Sequence, residues 1–219
     1  MKAVSLMSGG KDSFLATLIA LESGFDVVMS VTVIAEEHSL MYHYPNASMA
    51  RYVSGLLGIE NVMVEEGKLW ELIGNLARDG IGAVVVGAIA SDYQKTRVEM
   101  KCTELGILMF APLWRKDQGM LLNEIVMRSI DAILVSVSAE GLTEDHLGMH
   151  LDRDGVERIM ELSRKYGMNP SGEGGEYESF VLSFPGAGRI RIRRSHRVWR
   201  GSGGYLIIDD AGLDQSSVA

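Results

Sequence analysis

The chain has 219 residues, 47% of them hydrophobic, which is enough to bury a sizeable core and allows one large domain or two small ones. No run reaches the roughly 18 to 20 apolar residues of a membrane span, the N-terminus reads as a strand without a signal-peptide pattern, and a cytoplasmic location is expected. A formal net charge of −8 speaks against a general nucleic-acid binder, and the single cysteine, Cys102, excludes an internal disulfide and any Cys-x-x-Cys pair.

In chain order, Ala3, Val4, Leu6 and Met7 form a short buried strand, and Phe14, Leu15, Leu18, Ile19 and Leu21 recur at the spacing of an amphipathic helix that Gly24 stops. Between them lie Ser8, Gly9, Gly10, Lys11, Asp12 and Ser13. A helix N-terminus offers unpaired N–H groups and a positive dipole end, and two glycines let the backbone approach an anion without Cβ interference. Lys11 adds a full charge and Asp12 is placed to hold a magnesium ion bridging phosphate oxygens. The alternative is a tight turn capped by Ser8 or Asp12. The spacing matches neither a Walker A loop nor the Gly-x-Gly-x-x-Gly of a dinucleotide-binding turn.

Further strands are predicted at Val27–Ile34, Asn61–Val64 and Ala83–Val86, with helices at Ala47–Leu57 and around Leu69–Ala77. This alternation, carried to a strand at Ala132–Val137, predicts an α/β fold: a parallel sheet flanked by helices over residues 1–138, with ligands beyond the strand C-termini at a switch point. Residues 139–219 then read as a smaller C-terminal α+β domain for substrate binding, with a helix near Val156–Tyr166 and strands at Phe180–Phe184, Arg189–Arg193 and Tyr205–Ile208. The tail from Asp209 is expected to fray.

Arg189, Arg191 and Arg193 alternate with Ile190 and Ile192, so a strand places three guanidinium groups on one face and isoleucines in the core. A solvated face neutralised across the sheet by Asp209 and Asp210 is preferred to a docking surface for an acidic macromolecule. His146 and His150 have metal-pair spacing but no third ligand and no adjacent glutamate; Asp145 and His146 read as a solvated turn. Cys102 is expected to be buried and inert.

The hexapeptide resembles the PP-loop of N-type ATP pyrophosphatases, Ser-Gly-Gly-x-Asp-Ser, with every fixed position matched. That resemblance implies that Ser8, Gly9, Gly10, Lys11, Asp12 and Ser13 grip the terminal pyrophosphate of ATP, with Mg2+ on Asp12, and that reaction occurs at the α-phosphorus. Two further segments, Gly87 to Glu99 and Gly172 to Phe180, together with Pro112-Leu113-Trp114, Asp117 and Leu121-Leu122, resemble the diphthine-ammonia ligase family, which completes diphthamide on translation elongation factor 2. Ser179 stands where threonine is common, and the absence of extra C-terminal domains resembles a short archaeal-type form.

The family resemblance implies adenylation of the diphthine carboxylate, amidation by ammonium, and release of AMP and pyrophosphate. It places Gly87 beside the nucleotide, Arg97 on α-phosphate charge, and His43, Ser91, Tyr93, Gln94 and Glu99 at the substrate. Glu173, Glu176 and Glu178, with Gly174 and Gly175, form an acidic loop suited to ammonium and to the trimethylammonium of diphthine, with Glu176 as a catalytic carboxylate. Two alternatives are a tRNA-modifying PP-loop enzyme, disfavoured by the acidic balance and the missing cysteine pair, and an ATP-binding sensor without turnover, which has no use for the three-carboxylate loop. A homo-oligomer is left open.

Overall fold

The computed structural model describes residues 1–34 and 46–214, apart from the side chain of Gln94. The candidate His43, with its segment from His38, lies outside the described residues. Two compact units divide the chain, Met1–Trp114 and Arg115–Ala219.

In the first unit, β1 (Lys2–Leu6), β2 (Asp26–Ile34), β3 (Asn61–Glu65), β4 (Ala83–Val85) and β5 (Leu108–Phe110) form one sheet in the order β3-β2-β1-β4-β5, and every pairing is parallel. The chain runs outward from β1 to β3, then crosses back to β4 on the other side of β1. The C-terminal ends of β1 and β4 therefore border the switch point, where two crossovers leave in opposite directions.

Alternating residues explain how both faces are covered. Val4 of β1, Val31 and Val33 of β2 and Val84 of β4 pack with Leu69 and Ile73 of α3 (Leu69–Arg78) and with Val98 and Cys102 of α4 (Asp92–Glu104). On the opposite face Ser5 bonds Thr17 of α1 (Lys11–Glu22) at 2.6 Å, and Ser30 donates to Ser54 of α2 (Ala50–Leu56) at 2.7 Å. The first helix differs from the amphipathic expectation: Lys11, Ser13 to Leu18 and Ala20 are all buried, so it is enclosed around most of its circumference.

The second unit holds α5 (Gln118–Met127), β6 (Asp131–Val137), α6 (Arg153–Tyr166), β7 (Tyr177–Ser183), β8 (Arg189–Arg200) and β9 (Gly203–Asp214). The four strands close an antiparallel barrel in the order β6-β7-β8-β9. Asp117 caps α5 by accepting from Met120 N–H at 2.8 Å, and Asp152 caps α6 by accepting from Gly155 N–H at 2.9 Å.

Among the boundaries that depart from the sequence reading are those of β6, β8 and β9; β8 runs to Arg200 rather than ending at Arg193. β6, expected as the last strand of the parallel sheet before a break at 138, belongs to the barrel, and the chain divides after Trp114. A short apolar run buried on both faces looks the same in a parallel sheet and in a small barrel, and pairing with β7, some 45 positions away, leaves no local mark. β9 also continues to Asp214, where a fraying tail was expected from Asp209: Ile208 and Ala211 face the core, and Asp210 and Asp214 pair with arginines of β8.

Candidate active site

The loop after β1 is closed on itself by its two serines. Ser8 Oγ and Ser13 Oγ lie 3.0 Å apart, Ser8 N–H donates to Ser13 Oγ at 3.2 Å, and Ser13 Oγ donates to Gly10 C=O at 3.0 Å. Gly9 sits at φ 88°, a conformation glycine adopts without Cβ strain. Gly10 is the N-cap of α1 and supplies no side-chain cap. The first turn thus opens onto a loop of backbone groups, the arrangement that binds anions.

Lys11 is only 2% exposed, with its Nζ 2.8 Å from Asp12 Oδ2, while a quarter of the Asp12 side chain is exposed. Behind them, Ser5, Thr17 and Ser13 form a buried strut: Thr17 Oγ1 bonds Ser5 Oγ at 2.6 Å and donates to Ser13 C=O at 2.7 Å. Neither Ser5 nor Thr17 stands out in the sequence; a hydroxyl inside each apolar run was the available signal.

Gly87, just past β4, completes the wall. A Cβ there would lie 2.7 Å from Ser13 N, 2.8 Å from Asp12 C and 2.9 Å from Asp12 O, closer than real contacts permit. The loops at the ends of β1 and β4 are therefore in backbone contact across the switch point.

Among the described residues no group of three His, Cys, Asp or Glu side chains holds a metal by itself. Asp12 offers one carboxylate, with one oxygen already at Lys11. That donor set fits magnesium in its usual role at phosphates, where one carboxylate combines with phosphate oxygens and water.

The other first-unit candidates lie on or next to α4. Ser91 C=O accepts from Lys95 N–H at 3.0 Å, at the entry to the helix. Arg97 donates to Tyr93 Oη at 3.0 Å, one turn away, and Tyr93 is 55% exposed. Glu99 pairs with Lys95 at 2.5 Å, an i,i+4 pair on the same helix.

In the second unit the loop from Asn169 to Tyr177 is built around Glu176. Its Oε1 accepts from Asn169 N–H at 2.9 Å and Asn169 Nδ2 at 2.6 Å, and its Oε2 accepts from Gly174 N–H at 2.7 Å. Three of roughly four lone-pair positions of the carboxylate are thereby occupied. Gly175 N–H donates to Gly172 C=O at 3.0 Å, setting Glu173 and Gly174 at the corner of a turn. Tyr177 Oη donates to Pro170 C=O at 2.6 Å, and Ser138 N–H donates to Glu176 C=O at 2.9 Å. Glu176 shapes the loop, and Asn169, unnoticed in the sequence, is its main partner.

The discounted histidines are structural. His146 is buried at 8% exposure rather than solvated: its Nδ1 lies 3.0 Å from Thr143 N–H and 3.0 Å from Thr143 Oγ1, and burial pulls its pKa below the ordinary value. His150 instead bonds Asp131 Oδ1 at 2.6 Å. On β8, Arg191 pairs with Asp214 at 2.9 Å, Arg193 with Asp210 at 3.8 Å and Arg194 with Asp209 at 3.9 Å, so acids of β9 answer the arginine face.

Residues 1–109 match the family model for the diphthamide synthase N-terminal domain, and residues 117–213 the one for the diphthamide synthase C-terminal domain. The chain belongs to the diphthamide synthase family. It is 35% identical over 213 residues to the diphthine–ammonia ligase of Danio rerio, covering 84% of this chain and 83% of that one. It is 33% identical over 216 residues to the Homo sapiens protein of the same name, covering 84% and 80%. The Schizosaccharomyces pombe diphthine–ammonia ligase is 33% identical over 211 residues, but there the match covers only 35% of the relative. A solved chain described as a predicted subunit of tRNA methyltransferase from Methanocaldococcus jannaschii DSM has a TM-score of 0.47 at 16% identity over 84% of this chain, too distant to bear on function. No helix among the described residues is long and apolar enough to cross a membrane.

Proposed function

We propose that this chain is a diphthine–ammonia ligase, a cytoplasmic enzyme that uses ATP to amidate the diphthine carboxylate of translation elongation factor 2. The observation that carries the reading is the match of both halves of the chain to the diphthamide synthase models, with relatives named diphthine–ammonia ligase aligned over 84% of it. The closed Ser8–Ser13 loop at the switch point supports nucleotide binding there.

A free carboxylate resists nucleophiles, so the first step makes a mixed anhydride. A diphthine carboxylate oxygen attacks the α-phosphorus, and the bond from that phosphorus to the bridging oxygen breaks, releasing pyrophosphate. The N–H groups of the first turn of α1 and the Lys11 ammonium stabilise the charge growing on the leaving group. Asp12 is the residue that would hold a magnesium ion at the phosphates, and such an ion would supply further neutralisation of that charge. Arg97, held by Tyr93, stabilises the α-phosphate, with Ser91, Gln94 and Glu99 at the acceptor.

Ammonia, formed when ammonium gives up a proton, then attacks the acyl carbon. The bond between that carbon and the AMP oxygen breaks, the nitrogen loses a second proton, and the amide and AMP are the products. The acidic loop attracts the two cations of the reaction, ammonium and the trimethylammonium of diphthine. Glu173 and Glu178 supply charge there, and Glu176 maintains the loop that carries them.

The test is incubation with ATP, magnesium and ammonium plus diphthine-bearing elongation factor 2, following nucleotide products and acceptor mass. AMP, pyrophosphate and conversion of the carboxylate to an amide are expected. ADP with orthophosphate, or no nucleotide product, would sink the reading; AMP release with unmodified tRNA instead would move the chain to the tRNA-modifying alternative.

A further inference from the structure

One peptide leads from β1 into the phosphate loop, that between Met7 and Ser8. Both of its polar ends are held. The N–H donates to Ser13 Oγ at 3.2 Å, and the C=O accepts from Thr32 Oγ1 at 2.7 Å. The backbone ladder between β1 and β2 reaches Leu6 opposite Val31, and Met7 N–H donates to Val31 C=O at 2.9 Å. At the next step a side chain of β2 meets the β1 carbonyl.

Met7 and Thr32 are each 1% exposed, so bulk water is not at hand to replace that donor. A peptide is planar, so holding its oxygen on one side and its N–H on the other fixes the plane, and with it the direction in which Ser8 leaves the strand. The Thr32 hydroxyl is itself aimed. Asn61 of β3 donates to its oxygen at 2.9 Å, which directs the hydroxyl hydrogen towards Met7. A chain of hydrogen bonds thus runs from β3 through β2 to the mouth of the loop.

We propose that Thr32, outside every motif of this chain, is a positioning residue for the nucleotide: through the Met7 carbonyl it sets the take-off of the Ser8–Ser13 loop. This rests on the reading that the loop binds ATP, and it adds a determinant that the loop sequence does not contain. Thr32→Val keeps the shape of the side chain but leaves a buried carbonyl without its donor; Thr32→Ser restores the hydroxyl.

The experiment is calorimetric titration of magnesium-ATP, without any acceptor, into wild type and variants. Thr32→Val is expected to bind about tenfold more weakly, the effect of losing one buried hydrogen bond, with Thr32→Ser within about twofold of wild type. Ser54→Ala removes a hydroxyl that accepts from Ser30 at 2.7 Å and from Asn61 Nδ2 at 3.4 Å, one step further from the loop than Thr32 in the same buried network. It is expected to lower the melting temperature while leaving affinity within about twofold.

Asn61→Ala leaves the Thr32 hydroxyl in place but unaimed. A loss of about threefold is expected there, and this variant decides the matter should Thr32→Val not fold. Wild-type affinity in Thr32→Val, or in Asn61→Ala where only that variant folds, overturns the inference alone. So does a Ser54→Ala loss as large as that of Thr32→Val, since the effect is then general loosening. Absence of ATP binding by the wild type overturns both the nucleotide reading and this inference, whereas ATP binding without diphthine amidation overturns the proposed acceptor only.

Discussion

The Cα of Gly87 rests against the backbone of Ser13, so close that a Cβ would stand 2.7 Å from the Ser13 nitrogen. Nothing in the chain between β4 and α4 hints at this, because the contact joins two loops more than seventy positions apart. Gly87→Ala is expected to push the first turn of α1 away from its anion-binding shape. ATP affinity should fall about tenfold or more, with stability lower by about 1–3 kcal/mol from overpacking. Calorimetric titration and denaturant unfolding measure the two separately; unchanged affinity would mean that the loop moves aside without consequence.

Lys11 is the buried cation of the loop, and Lys11→Met keeps most of its stem while removing the charge. Hydrogen bonds to charged groups contribute about 1.5–3 kcal/mol, so ATP affinity is expected to drop about 10- to 100-fold. The same titration, repeated at raised salt, should show a smaller salt dependence in the variant.

Glu176→Gln replaces a carboxylate that accepts three N–H bonds with an amide that must turn its own NH2 towards Asn169 or Gly174. The loop is expected to lose its shape, amide formation to cease, and ATP affinity to stay at the wild-type level. Asn169→Ala should reproduce much of the loss although it removes no charge. Full activity in Asn169→Ala beside an inactive Glu176→Gln would show that the carboxylate itself acts on a substrate.

His146 is held neutral by burial, with Thr143 N–H donating to its ring nitrogen. Its folded pKa lies below the unfolded value of about 6.5, so between the two values the unfolded chain binds more protons and stability rises with pH. The contribution is complete above about pH 6.5 and is lost as pH falls through the lowered folded value. Urea unfolding of wild type and His146→Gln across pH 7.5 to 5 is expected to show a steeper acid loss in the wild type.

Cys102 is 1% exposed and desolvation pushes its pKa up to about 11. Its thiol is expected to resist a disulfide reagent at pH 8 in the folded protein and to react fully in denaturant. Rapid labelling of the native chain would show that α4 opens easily.

Local signals carried the sequence reading far. The loop from Ser8 to Ser13 is legible because a strand, two glycines, a lysine and a helix start must follow one another there. The alternation of Arg189, Arg191 and Arg193 with Ile190 and Ile192 likewise foretells which side chains face outward, and Ile190 is buried while the arginines are exposed. Both patterns are written within a few positions of the chain.

What the sequence determined by itself was therefore the strand–loop–helix junction at Ser8 to Ser13, the family resemblance and the outward face of β8. Only the tertiary structure decided that β6 closes a barrel, that Glu176 is engaged by Asn169, that Gly87 backs Ser13 and that Thr32 holds the Met7 carbonyl. The reason is physical: periodicity and turn chemistry act between neighbours along the chain, whereas sheet partners and side-chain hydrogen bonds are chosen among residues that meet only once the backbone has folded.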